Sequence, residues 1–129
     1  MSTNVKRFVN FMRAEAEEIR GPKLVTFQKK IVLDVLGRIV LKTPVDTGLA
    51  RSNWQLNVGN PGYTELPLRS EEEQTSDNIS ELAKMQPFQT SYINNNVEYI
   101  SYLEDGSSDK APNGMVAISL AEVSNTREE

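Results

Sequence analysis

The stretch Thr43-Pro44-Val45-Asp46-Thr47-Gly48-Leu49-Ala50-Arg51-Ser52-Asn53-Trp54-Gln55-Leu56-Asn57-Val58 decides the fold, because the sequence period changes within it. Upstream, Leu24, Phe27, Ile31, Val32, Val35, Leu36, Ile39 and Val40 recur at helical spacing, in a band broad enough for an enclosed helix. Thr43-Pro44 stops that helix, since the residue before a proline is pushed out of the α region. Val45-Asp46-Thr47-Gly48 then reads as a loop. From Asn53 polar and apolar residues alternate, which predicts a strand over 53–58 with Trp54, Leu56 and Val58 on its buried face.

Working back toward the N-terminus, Val5, Phe8, Val9, Met12, Ala16 and Ile19 form one stripe of a first helix. Ser2, Thr3 or Asn4 is placed to cap it, and Gly21-Pro22 to end it and open the second. Toward the C-terminus, residues 59–77 combine two Gly, two Pro and Glu71-Glu72-Glu73, and predict a long exposed acidic loop. A short helix is expected over Asp77–Met85, with Asp77 or Asn78 as cap and Ile79, Leu82 and Ala83 inward. Gln89–Ile93 reads as a second strand and Asn94-Asn95-Asn96 as a turn. Tyr99, Tyr102 and Leu103 suit a helical turn, and Asp105–Asp109 a loop. Met115–Val123 fits a helix or a strand, with helix favoured. The expected class is therefore α+β: two N-terminal helices, a small antiparallel sheet and a C-terminal helix, forming one domain over 1–129.

Composition narrows the chemistry. The 129 residues include no Cys and no His, which excludes disulfides, thiolate or imidazole metal sites, Cys or His nucleophiles and a Ser-His-Asp triad. The net charge of −4 argues against a dedicated nucleic-acid binder. That charge is unevenly spread: residues 1–50 carry nine Lys or Arg against five Asp or Glu, a balance of +4, and residues 51–129 carry five against thirteen, a balance of −8. Such polarity suits copies attracting head to tail, though it also serves solubility. No apolar run approaches the roughly 18 residues of a membrane span. MSTNVKRF does not lead into an apolar signal-peptide core, so a reducing cytosol is the expected site of synthesis.

Four motifs invite a chemical reading. Asp46-Thr47-Gly48 matches the triplet that supplies the carboxylate of aspartic proteases, but it follows a helix stop instead of an apolar strand. An apolar-Gly stretch, Val35-Leu36-Gly37, lies upstream inside a helix. Two carboxylates sharing a proton need that enzyme fold to hold them about 3 Å apart. Glu104-Asp105 with Asp109, and the Glu71–Glu73 run, lack the alternation and turn glycine of a calcium loop. Gly59-Asn60-Pro61-Gly62 lacks the Gly-Lys-Ser/Thr ending of a phosphate loop. Trp54 on an inward strand position is a core anchor more readily than a stacking platform. No catalytic, cofactor-binding or metal-binding residue is assigned, and no cofactor is expected.

Residues 43–54, quoted above, resemble a signature of tailed-bacteriophage virion proteins: a long helix, then T/A-P-V-D-T-G-x-x-R-x-S/N-W entering a strand. Tyr92-Ile93-Asn94-Asn95-Asn96-Val97-Glu98-Tyr99-Ile100-Ser101-Tyr102-Leu103-Glu104-Asp105-Gly106-Ser107-Ser108 is similar to that family's I-x-N-N-x-x-Y-x-x-x-L-E-x-G-S/T segment. Lys110-Ala111-Pro112-Asn113-Gly114-Met115-Val116 is similar to its Q-A-P-x-G-M-V ending, with Lys110 in place of the usual Gln. In order and spacing the likeness runs from about residue 24 to residue 123.

The family comprises neck, tail-completion and minor tail-component proteins. The resemblance implies a non-enzymatic structural subunit of the virion, assembled in the host bacterial cytoplasm. Its expected form is a homo-oligomeric ring, six copies favoured over twelve, between a connector or head-completion protein and a tail terminator or tail tube. No membrane and no sequence-specific nucleic acid is an expected partner. The residues carrying the likeness are Pro44, Asp46, Thr47, Gly48, Arg51, Trp54, Asn95, Tyr99, Glu104, Gly106, Pro112 and Gly114, and their expected roles are structural. Pro44 ends the helix, Asp46 accepts backbone N–H groups in a turn, Arg51 pairs with Asp46 or Glu104, and Tyr99 and Leu103 pack near Trp54. The readings from other classes are an aspartic-type protease using Asp46 and a small intracellular adaptor.

Overall fold

The structure, a computed structural model, describes residues 3–18, 22–45, 48–106, 111 and 113–128. Two helices open the chain, α1 (Thr3–Glu18) and α2 (Pro22–Lys42). A single turn α3 (Leu49–Ser52) leads into β1 (Gln55–Val58). Then follow α4 (Glu71–Leu82), β2 (Ser91–Asn94), a second single turn α5 (Ile100–Glu104) and α6 (Val116–Glu128). The α+β class is as expected. Among the described residues no helix is long and apolar enough to cross a membrane.

Helix α2 is the centre of the molecule: Leu24, Ile31, Val35, Leu36 and Ile39 are all buried, and α6 packs against it and against α1. Among the described side chains of α1 the deepest is Phe11, not one of the expected stripe, with Phe8 and Met12 half-buried beside it; Ala16 and Ile19 of that stripe lie outside the described side chains. The Phe11 ring lies 6.2 Å from that of Phe27 on α2 and 6.3 Å from Phe8, which rotates the helix toward its aromatic side. On α6, Val123 is inaccessible to solvent, and so are the small polar residues Ser119 and Ser124. Ser124 satisfies its hydroxyl on the Leu120 carbonyl within its own helix, 2.9 Å away.

Strands β1 and β2 pair antiparallel, Gln55 opposite Asn94 and Val58 opposite Ser91. A two-stranded sheet is marginal alone. Here α4 runs along the outer edge of β1 and closes it with side chains: Leu56 N–H donates to Asn78 Oδ1 at 3.1 Å, and Val58 N–H donates to Glu81 Oε2 at 2.9 Å. Asn78 and Glu81 stand three apart on one helix face, so they meet successive outward-facing amides of the strand.

Several expectations need correction, among them β2, which runs Ser91–Asn94 instead of Gln89–Ile93, so that Asn94 ends the strand and pairs with Gln55 instead of opening the turn. Strand β1 is shorter than expected at its start, because Leu49–Ser52 form a helical turn, with Ser52 N–H on the Gly48 carbonyl at 2.9 Å. The acidic loop does not extend to residue 77: Glu71–Glu73 are the first turn of α4, and the helix expected from Asp77 begins six residues earlier. Ser70 caps it, its hydroxyl accepting from Glu73 N–H at 3.1 Å, and the three glutamates face the positive end of the helix dipole. Ile79 and Ala83, expected inward, are exposed; Gln74 and Asn78 are buried with Leu82.

Candidate functional site

The described residues among those that carry the likeness fall at two junctions, and a third feature, a groove, lies beside the first. At the first junction α2 ends and the chain turns into the sheet. Thr43 is buried, its hydroxyl donating to the Ile39 carbonyl at 2.8 Å and accepting from Trp54 Nε1 at 2.7 Å. Pro44 follows half-buried, outside the helix. Gly48 sits at φ +74°, the left-handed region in which a side chain costs energy, and precedes α3. Trp54 is 4 % exposed and stands in the main core with Leu36, Ile39, Leu56 and Leu103. It is the core anchor that the alternation predicted.

Three side chains converge on the carbonyl of Trp54. Arg69 Nη2, Gln74 Nε2 and Asn78 Nδ2 reach it at 3.1, 3.2 and 3.3 Å, and Gln74 also donates to the Arg51 carbonyl at 2.8 Å. Asn95 joins from the other side, donating to the Ala50 carbonyl at 2.7 Å while its own oxygen accepts from Val97 N–H. Arg51 donates from Nε to the Val40 carbonyl at 2.9 Å, bracing α3 against the end of α2. Its expected ion pair with Glu104 does not form, because that carboxylate is engaged elsewhere. Asp46, Thr47 and Pro112 lie outside the described residues.

Glu104 is the centre of the second junction. Its Oε1 accepts from Met115 N–H and Val116 N–H, both at 2.9 Å, and its Oε2 from Ala117 N–H at 3.2 Å. A residue on α5 thereby caps the start of α6, a carboxylate at the positive end of a helix dipole. Gly114, at φ +72°, lets the chain pass against the Glu104 backbone; a Cβ there would run into the Glu104 carbonyl oxygen. Gly106, at φ +83°, closes α5 with its N–H on the Leu103 carbonyl. Leu103 is buried in the same core cluster as Trp54, and Tyr99, 40 % exposed, leads into α5.

The loop between β1 and α4 is held from one side by amide side chains. Asn53 brackets Leu66, accepting from its N–H at 2.6 Å and donating to its carbonyl at 3.0 Å. Gln55 donates to the Thr64 carbonyl, Asn94 both accepts from Gly62 N–H and donates to its carbonyl, and Asn96 donates to Gly62 and Thr64. Arg69, Gln74 and Glu81 carry no signal in the sequence and Asn78 reads there only as a cap, because polar residues on and before a charged helix look like a solvated face. The Ser70-x-x-Glu73 capping box was the signal that could have found the helix carrying three of them.

Electrostatics outside these junctions tie α2 to α6. Glu122 Oε1 accepts from Lys42 Nζ at 2.6 Å and from Arg38 Nη1 at 3.2 Å, and Arg38 Nε also meets Asp34 at 2.8 Å. The hydrogen bond from Lys42 holds the Glu122 carboxyl below its ordinary value, and the bond to Asp34 raises the Arg38 guanidinium. Glu81 is likewise held low, first by the Val58 N–H and then by Lys84.

The third feature is a groove of about 300 Å³ between α2 and α4, lined by Leu33, Gly37, Val40 and Leu41 on one side and Glu71 and Ile79 on the other. Among the described residues, Arg51, Arg69, Gln74, Asn78, Asn95 and Glu104 all bond backbone groups at the two junctions, and the groove beside them presents an apolar surface. No protein-family model, curated protein or solved structure matches the chain.

Proposed function

We propose that the chain is a non-enzymatic structural subunit of a tailed-phage virion, a tail-completion or head-tail joining protein working as a ring between connector and tail. The observation that carries this reading is the ordered pair of motif stretches, 43–54 and 92–116. The roles of their described residues support it: Thr43, Gly48 and Trp54 turn the chain from helix into sheet, Asn95 ties β2 to α3, and Glu104 with Gly114 starts α6. These are duties of a scaffold that holds its surfaces in fixed relation. The division into a basic first part and an acidic second part suits heterologous contacts repeated around an axis, with six copies favoured over twelve. One face of the ring meets a connector or head-completion protein and the other a tail terminator or tail tube.

The test is assembly. A phage lacking this protein, complemented with the wild-type chain, should yield tailed particles. Complementation with Trp54→Ala or Gly48→Val should yield separate heads and tails by electron microscopy. Normal particles from cells producing no functional copy would refute the reading. Asp46→Asn should complement normally; loss of a proteolytic activity in that variant would establish the protease instead.

A further inference from the structure

Gly37 stands in the middle of the 21-residue helix α2, exposed, with no atom within 4 Å of where a Cβ would lie. Glycine in a helix interior costs about 0.5–1 kcal/mol against alanine, and the packing of this chain gives no reason for it. Its surroundings do. Leu33 and Leu41 lie four residues to either side on the same face, 42 % and 71 % exposed, and Ile79 of α4 faces the same groove at 51 %. Lys30 continues the stripe one turn beyond Leu33, while Glu71 lies at the opposite end beside Val40, where the groove borders a second cavity lined by Gly48. Lys30 and Glu71 form no ion pair among the described residues.

We propose that this groove is the docking site for a second copy of the chain, whose α2 lies antiparallel across a two-fold axis at Gly37. A two-fold contact must be self-complementary, residue i meeting j while j meets i. The stripe satisfies that requirement: reversal about Gly37 sets Leu33 of each copy against Leu41 of the other, and carries each Lys30 to the Glu71 end of its partner's groove. The apolar pairs occupy the centre and the two ion pairs the rim, the usual arrangement of a protein interface. The glycine lets the two helices approach more closely than the usual 8–10 Å between axes. The contact goes beyond the ring reading and does not depend on it, because a two-fold contact closes on itself and pairs copies without extending a ring.

Sedimentation equilibrium of the full chain across micromolar concentrations should show a reversible dimer. Leu41→Glu should weaken it at least tenfold, with helicity unchanged by circular dichroism. Lys30→Glu and Glu71→Lys should each weaken it and the double exchange should restore it, which a merely structural effect would not do. Because the chain has no cysteine, Gly37→Cys introduces a lone thiol that meets its own copy at the axis. On mild oxidation it should form a disulfide dimer far faster than the control Asn60→Cys on the exposed loop. A monomer at every concentration, a dimer indifferent to Leu41→Glu, or a larger oligomer in which Cys at position 37 crosslinks no faster than the control would overturn the proposal.

Discussion

Replacing Glu104 by alanine removes the acceptor for three backbone N–H groups at once, those of Met115, Val116 and Ala117. Loss of an N-cap acceptor costs about 0.5–2 kcal/mol, and a hydrogen bond to a charged group contributes about 1.5–3 kcal/mol. The three bonds share one carboxylate and water can reach the half-buried site, so the sum is capped well below three independent bonds. The expected loss is about 3 kcal/mol, a large fraction of a total stability of about 5–15 kcal/mol, and it should lower the melting midpoint by about 10 °C. Glu104→Gln keeps one carbonyl oxygen and turns an amide toward the remaining N–H, for an intermediate loss of about 1–2 kcal/mol. Urea unfolding reports this through Trp54, the single tryptophan, whose burial makes its emission shift on unfolding. A Glu104→Ala loss under about 0.5 kcal/mol, or one matched by the exposed neighbour Asp105→Ala, would show that the cap is not what holds α6 in place.

Three further outcomes follow from the geometry. Gly48→Ala should cost about 1–2 kcal/mol from the left-handed backbone alone, since the new Cβ would sit at an ordinary 3.6 Å from Leu68 Cδ1. Gly48→Asn should recover part of that loss, and equal losses for both would point to crowding. Phe88, at φ +65° and 84 % exposed, is strained without burying its ring, so Phe88→Asn should raise stability by about 0.5 kcal/mol in the same unfolding assay. Glu81 and Glu122 have folded-state values below the ordinary 4.5, so the unfolded chain takes up protons first. Their contribution is complete above that value and disappears as pH falls through 4.5 toward the folded values. Unfolding midpoints from pH 7 to pH 3 should fall less steeply in the Glu81→Gln/Glu122→Gln double variant, and an unchanged slope would refute the assignment.

Much of the architecture was legible because it is written in apolar period and in helix stops. Thr43-Pro44 ended α2 where expected, and Trp54 and Leu56 turned inward as the alternation required. What escaped was encoded in polar residues. Hydrophobic patterning cannot tell that Gln74 and Asn78 face inward, because their burial is compensated by backbone groups of a neighbouring strand, and that strand's position depends on the whole fold. The acidic run at Glu71 looked like a solvated loop for the same reason: glutamates that cap a helix and glutamates in a loop share one composition. Glu104 shows the limit most clearly. It stands out in sequence as a motif residue, and its partner is backbone eleven to thirteen residues later and not Arg51.

The loop from Gly59 to Ser70 carries a consequence for how this protein can change. Its hydrogen bonds to Asn53, Gln55, Asn94 and Asn96 all end on the loop's own N–H and carbonyl groups. The sheet thus dictates the path of the loop while leaving the identity of its outward side chains, Tyr63, Glu65 and Leu68 among them, almost unconstrained. The fixed positions are Gly62, where a Cβ would strike the Gln55 side chain, Gly59 at φ +92°, and Arg69 and Ser70, whose side chains bond the Trp54 carbonyl and cap α4. Selection can therefore rewrite what this surface presents to a neighbour, residue by residue, without having to rediscover its shape.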